Sequence, residues 1–198
     1  MSRYRGPKLK IIRRLGGLPG LTSKTSNKKN PPGQHGRQNT KPSQYAIRLL
    51  EKQKLRYNYG ISEKQLFSYL KKSRKNSRST AQVLLELLEM RLDNILYRAG
   101  FVKTINAGRQ LITHQHIMVN KKKVTIPSYQ CKINDIIEFS PTSKIDKKNS
   151  VNLSSSKIPS FLFIDNIQPC IQIKNISPRS ELLIDLTELL VIEYYSKT

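Results

Sequence analysis

Acidic residues are nearly absent from the first two-fifths of this chain. Residues 1–80 hold 21 Lys and Arg against two acids, Glu51 and Glu63, while residues 81–198 hold 15 against 11. The net charge of +23 is therefore concentrated at one end. Such a charge opposes compaction unless a polyanion neutralises it, so nucleic acid is the expected partner. Cysteine is scarce. Cys131 and Cys170 are too few and too far apart for a disulfide framework or a zinc site, which favours a reducing compartment. Long apolar runs are missing too. The most apolar late segment, Leu182–Ile192, is broken by Asp185 and Glu188, so no membrane partner is expected. The opening MSRYRGPKLK has no apolar stretch, so no signal peptide is expected.

Chemistry is missing as well. There is no GxxxxGK[ST] phosphate loop, no GxGxxG and no CxxC. His114 and His116 share a strand-like spacing, but a metal needs more ligands. His35 sits in a Gly/Pro loop without a neighbouring acid or nucleophile. Nothing assembles a nucleophile, a base and oxyanion donors. The expectation is no enzyme, no cofactor, no metal and no small-molecule substrate.

What is present centres on Met90–Ser140. Leu92, Ile95, Leu96 and Ala99 repeat at one helical face. Arg91, Asn94 and Arg98 fall on another, which predicts a buried side and a cationic side. Gly100 suits a helix stop, since φ > 0 comes easily to glycine. Thr104 suits the N-cap of a second helix with Leu111 and Ile112 inward, Arg109 and Gln110 outward. Asp93 reads as an N-cap or an ion-pair partner for a nearby arginine. Ile117–Val119 and Val124–Ile126 read as a hairpin around Asn120–Lys123.

Upstream, residues 1–41 show no helix or strand periodicity. They read either as a disordered basic tail or as an extended basic segment that orders on phosphates through Arg3, Arg5, Lys8, Lys10, Arg13 and Arg14, with Tyr4 stacking on a base. Ser43 caps a helix from Gln44 to about Tyr57, with Ala46, Leu49, Leu50 and Tyr57 inward. Arg48, Lys52 and Arg56 form one basic stripe, and such stacked like charges favour a counter-polyanion. Ser62 caps a helix with Leu66, Phe67 and Leu70 inward. Lys71, Lys72, Arg74 and Lys75 close it and suit the helix dipole. Ser79 caps Thr80–Met90, with Val83, Leu84, Leu87 and Leu88 as core. Pro141–Lys157 reads as a linker, Phe161–Ile164 and Ile171–Ile173 as short strands, Glu181–Glu188 as a short helix and Leu189–Tyr194 as a final strand.

These segments together resemble a known family. SRYRGPKLK within Met1–Lys10, PGQHG at Pro32–Gly36, EKQK at Glu51–Lys54 with Gly60, RLDNILY at Arg91–Tyr97, AGRQL at Ala107–Leu111, HIMVN at His116–Asn120 and LVIEYYSK at Leu190–Lys197 run in one order. They are similar to the bacterial and plastid small-subunit ribosomal protein S-four family, nearly end to end apart from 141–176. RLGGLPGLT at Arg14–Thr22 is similar to the plastid and cyanobacterial branch. The resemblance implies an α+β fold: a basic extended segment (1–41), a mainly helical lobe (42–89 joined by 177–198), an inserted RNA-binding module (90–140) and a variable linker with short strands (141–176).

It also implies a primary binder of small-subunit rRNA that nucleates assembly of the subunit body. Such a protein lies beside the mRNA entry path, touches protein S-five and affects decoding accuracy, here in a chloroplast and synthesised inside it. The residues expected to face rRNA are Arg3, Tyr4, Arg5, Lys8, Lys10, Arg13, Arg14, Gln34, His35, Arg37, Arg48, Lys52, Lys54, Arg56, Arg91, Asn94, Arg98, Arg109, Gln110, His114, His116 and Asn120 with Lys121, Lys122 and Lys123. Arg37 and Lys41 are expected nearest the mRNA, and Glu181, Asp185, Glu188, Glu193 and Tyr194 at a protein interface.

Two departures stand out. The N-terminal cysteine zinc cluster of some members has no counterpart before Cys131. The hairpin's usual Asn-Gly is Asn120-Lys121, which implies a widened turn or a phosphate contact offsetting strain of about 1 kcal/mol. The rival readings are a basic tail binding DNA or membranes non-specifically, an RNA-modifying enzyme built on the same module, and a mitochondrial member.

Overall fold

A computed structural model describes residues 4–28, 30–34, 36, 41–141, 158–165 and 170–196. It is α+β, with seven α-helices and five strands among those residues. Contacts divide the chain into two compact units, Met1–Leu84 with Leu183–Thr198, and Leu85–Leu182.

The first unit is helical. α1 spans Lys8–Leu15, α2 Gln44–Asn58 and α3 Glu63–Arg74; α4, Thr80–Glu89, contains the division. α1 corrects the expectation of an aperiodic start. Its apolar Ile11, Ile12 and Leu15 are interleaved with cations that are themselves good helix formers. Leu15, Leu18 and Leu21 are buried as a small core against Ile11, Leu50 and Tyr57. The backbone N–H of Gly20 donates to the Asn58 side chain (2.9 Å), tying this segment to the end of α2. Ser43 accepts from the Ala46 N–H as the cap of α2. Ser62 and Gln65 form a reciprocal capping box on α3.

The chain's last segment is helix α7, Glu188–Ser196, lying along α2, and not the strand its Leu-Leu-Val-Ile run suggested. Only a 3₁₀ turn at Arg179–Glu181 precedes it. Val191 is fully buried, and packing overrides the β-propensity of the run. Phe67 is another correction: it is exposed, with its ring 5.9 Å from that of Tyr195. Leu87 is only half-buried.

The second unit packs α5 (Leu92–Arg98) and α6 (Ile105–Thr113) against a sheet. Its strands are β1 Ile117–Val119, β2 Lys122–Lys123, β3 Ile136–Phe139, β4 Leu162–Asp165 and β5 Cys170–Ile173. The order is β2-β1-β3-β5-β4, antiparallel throughout. The expected strand Val124–Ile126 is replaced by the two-residue β2, which ends before Val124. Leu92, Ile95, Leu96 and Ala99 are buried as the spacing predicts, with Phe101, Ile112, Ile117, Ile137, Ile171 and Ile173. Gly100 leaves α5 at φ 76. The Thr104 hydroxyl accepts from the Ala107 N–H at the start of α6.

Candidate nucleic-acid interface

The β1–β2 hairpin closes in two residues. Val119 pairs with Lys122, and Asn120 and Lys121 have φ of 50 and 64. These are the two left-handed positions of a type I′ turn. The turn is tight, which removes the widened alternative. Asn120 suits its position because its side chain is held on both ends. Its amide donates to Asp135 (2.8 Å) and its carbonyl accepts from the Ile136 N–H (2.9 Å). Lys121 has no such hold and carries the strain. Lys121, Lys122 and Lys123 are all exposed, so a rigid tip presents three ammonium groups.

The polar face expected on α5 is inside the unit. Asp93 is 0% exposed and Arg91 1%. Arg91 grips the Asp93 carboxylate in a fork, Nε to Oδ1 at 3.0 Å and Nη2 to Oδ2 at 2.8 Å. Arg109, expected to point outward from α6, donates its Nε to Asp93 Oδ2 at 2.7 Å. Asn94 donates to the Glu89 carbonyl and carboxylate, both at 3.0 Å. Arg98 pairs with Glu89 at 3.4 Å and donates to the Glu181 carbonyl. Periodicity marked a second face correctly but not its destination. A charged face can meet another charged face of the same unit, and here Asp93 and Glu89 turn it inward. Asp93 is thus an ion-pair partner, one of its two expected roles.

The α2 stripe is also met by the protein itself. Arg48 Nε lies 2.7 Å from Glu193, Lys54 Nζ 2.6 Å from Glu51, and Lys52 Nζ 2.9 Å from Glu63. Lys52 also sits 4.1 Å above the Tyr194 ring, and Arg56 4.7 Å from the Tyr57 ring centroid. Burial by itself would raise the Glu63 carboxyl. The Tyr195 hydroxyl at 2.5 Å, with Lys52 and Arg56, outweighs it and holds the group below the usual carboxylate range. A counter-polyanion is not required to explain this stripe; carboxylates on α3 and α7 supply its counter-charges.

Residues 3–89 match the model described as Ribosomal protein S4/S9 N-terminal domain, and residues 90–137 the S4 domain. The chain is 53% identical over its full length to "Small ribosomal subunit protein uS4c" of Prototheca wickerhamii, covering 99% of that protein. It is 51% identical to uS4c of Cyanophora paradoxa, with both chains covered completely. It is 48% identical to uS4 of Thermosynechococcus vestitus, covering 99% of it. The chain belongs to the ribosomal protein S4 family. It is a structural protein and not an enzyme.

In this S4-family chain the remaining expected residues fall into three groups. Tyr4, Arg5, Lys10, Arg14, Gln34, Lys41, Gln110 and His114 are exposed, and His116 is half-buried with its ring 6.2 Å from that of His114. Lys8 donates to the Leu21 carbonyl, and Arg13 to the carbonyls of Asn30 and Pro31. Arg3, His35 and Arg37 lie outside the described residues. Among the expected interface residues, Asp185 is exposed. Glu188 is buried, Glu193 and Tyr194 are engaged by α2, and Glu181 accepts from the Ser160 N–H. Lys71, Lys72, Arg74 and Lys75, which the helix dipole accounts for in part, form an exposed cluster at the end of α3. Their exposed run of cations was the available signal.

Proposed function

We propose that this chain is a structural constituent of the small ribosomal subunit in a plastid stroma, made within that organelle, and a primary binder of small-subunit rRNA. It nucleates assembly of the subunit body and sits by the mRNA entry path, beside protein S-five, where it influences decoding accuracy. The observation that carries the RNA-binding reading is the exposed lysine tip on a tight two-residue turn. A helix N-terminus or a flexible tail would not hold three cations at one fixed protrusion. Affinity comes from phosphate contacts and junction shape, since the A-form major groove is too narrow to read. The RNA-facing set is the exposed one: Tyr4, Arg5, Lys10, Arg14, Gln34, Gln110, His114 and Lys121–Lys123 toward rRNA, with Lys41 toward the mRNA. Arg91, Asn94, Arg98 and Arg109 act by holding the module rigid.

The test is sedimentation of the chain with small subunits through a high-salt wash, where a primary binder stays on. Replacing Lys121, Lys122 and Lys123 with alanine weakens binding to the 5′-region rRNA junction while leaving the melting temperature in place. A lower melting temperature with intact affinity would make the lysines structural. Equal binding to duplex DNA at moderate salt would favour the non-specific rival.

A further inference from the structure

The outer side of α3 carries a second set of cations. Lys64, Ser68, Lys71 and Lys75 follow one another at i, i+4, i+7 and i+11, which puts them in a single row along the helix. Lys72 and Arg74 flank the C-terminal end of the row. All six residues are exposed. At the helical rise the row is about 16 Å long.

The protein does not supply its counter-charge. Glu63 is the only acid between Glu51 and Glu86. It is already engaged, by Lys52 at 2.9 Å, by Arg56 at 3.6 Å and by the Tyr195 hydroxyl. Among the described residues, the side chains of Lys64, Lys71, Lys72, Arg74 and Lys75 have no ion-pair partner. The basic stripe of α2, in the same unit, is the contrast, since Glu193 and Glu63 meet its cations. The α3 dipole accounts for only part of the set. It favours cations in the last turn, but Lys64 stands in the first turn, where it opposes them. Lys71 and Lys75 stack at i, i+4, and such like-charge pairs weaken a helix. A polyanion laid along the row offsets both costs.

The residue types favour phosphate over carboxylate. Protein–protein interfaces are enriched in arginine and depleted in lysine, and the guanidinium fork is what matches a planar carboxylate. Four of the five cations here are lysines, point charges that suit phosphates. We infer that this face of α3 lies along an RNA backbone, with Lys64, Lys71 and Lys75 neutralising its phosphates. It is a second grip, in the first unit, whereas the hairpin tip belongs to the second. The inference rests on the rRNA-binding reading and deepens it.

The experiment is a salt titration with hydroxyl-radical footprinting of the rRNA 5′-region junction, using the full chain. One variant combines Lys64→Gln, Lys71→Gln and Lys75→Gln; glutamine and lysine have similar helix propensity, so α3 is retained. The slope of log K against log salt should become shallower by about two units. One stretch of RNA backbone that the wild type protects should become cleaved. That stretch should stay protected by the triple alanine variant at Lys121–Lys123, which exposes a different one. Lys64→Arg, Lys71→Arg and Lys75→Arg together should keep both slope and protection. The melting temperature should hold or rise, because a like-charge pair is gone. If the triple glutamine variant does not fold, Lys71→Gln alone decides, with a slope change of about 0.7–0.9. A slope and footprint equal to those of the wild type would overturn the inference. If such a variant also failed to join small subunits, the face would belong to an acidic protein instead. Exposure of the same stretch by both triple variants would overturn the second grip. Failure of the wild type to bind the junction at all would overturn the rRNA reading and this inference with it.

Discussion

Asp93 shows how a single residue controls a site it does not form. Its carboxylate is shared by Arg91 and Arg109, and all three are buried. Removing it strands two guanidinium groups away from water. Asp93→Ala is therefore expected to destabilise the second unit by about 3–5 kcal/mol, read by urea unfolding. Lys121 is the opposite case, a residue that costs stability where it stands. At φ 64 it occupies a region that glycine enters freely. Lys121→Gly is expected to raise stability by about 0.5–1 kcal/mol while lowering RNA affinity. A variant that gained neither would remove the case for strain held in exchange for a phosphate contact. Burial raises the Cys131 thiol well above its ordinary value, with Asp135 and Asp93 adding to it. Cys131 should stay unlabelled by a thiol reagent at pH 8 until the chain unfolds.

Among elements, α2 carries the most instructive reversal. Its stripe of Arg48, Lys52 and Arg56 looks like a nucleic-acid face on a helical wheel, but Glu193 comes from α7, 145 residues away, and Glu63 from α3. The α2–α3–α7 packing should respond to acid. Glu63 has its pKa lowered in the folded state, so its contribution to stability is present above its unfolded pKa of about 4.3 and is lost as pH falls through the lower folded value. Thermal melts from pH 6 to pH 3 should show that loss, and Glu63→Gln should flatten that part of the profile. A wild type and variant with parallel profiles would mean that Tyr195 and Lys52 do not favour the ionised form. The β1–β2 hairpin is the element that does face outward. Its register, Met118 with Lys123 and Val119 with Lys122, fixes the tip geometry.

At the scale of the whole molecule, the formal charge of +23 overstates the charge free to meet RNA. Arg48, Lys52, Lys54, Arg91, Arg98 and Arg109 already have carboxylate partners. Binding should still weaken steeply with salt, since each phosphate neutralised contributes about −0.7 to −0.9 to the slope of log K against log salt. The triple alanine variant at Lys121–Lys123 should make that slope shallower by about two units. Neutralising Arg48 should change the slope little and act instead on the stability of the α2–α7 contact. A salt slope that fell equally in both would mean that Arg48 leaves Glu193 to meet RNA.

The sequence by itself determined helices α2, α3, α5 and α6 and the partner class. Local caps at Ser43, Ser62 and Thr104 and the apolar spacing of Leu92, Ile95, Leu96 and Ala99 are short-range facts, written within a few residues of where they act. Charge asymmetry is additive and needs no fold to be read. Only the tertiary structure decided which cations are spent internally, because an ion pair depends on distance in space: Arg109 meets Asp93 from another helix, and Arg48 meets Glu193 from the far end of the chain. The same holds for α7, whose β-prone run becomes a helix where Val191 is buried in its unit.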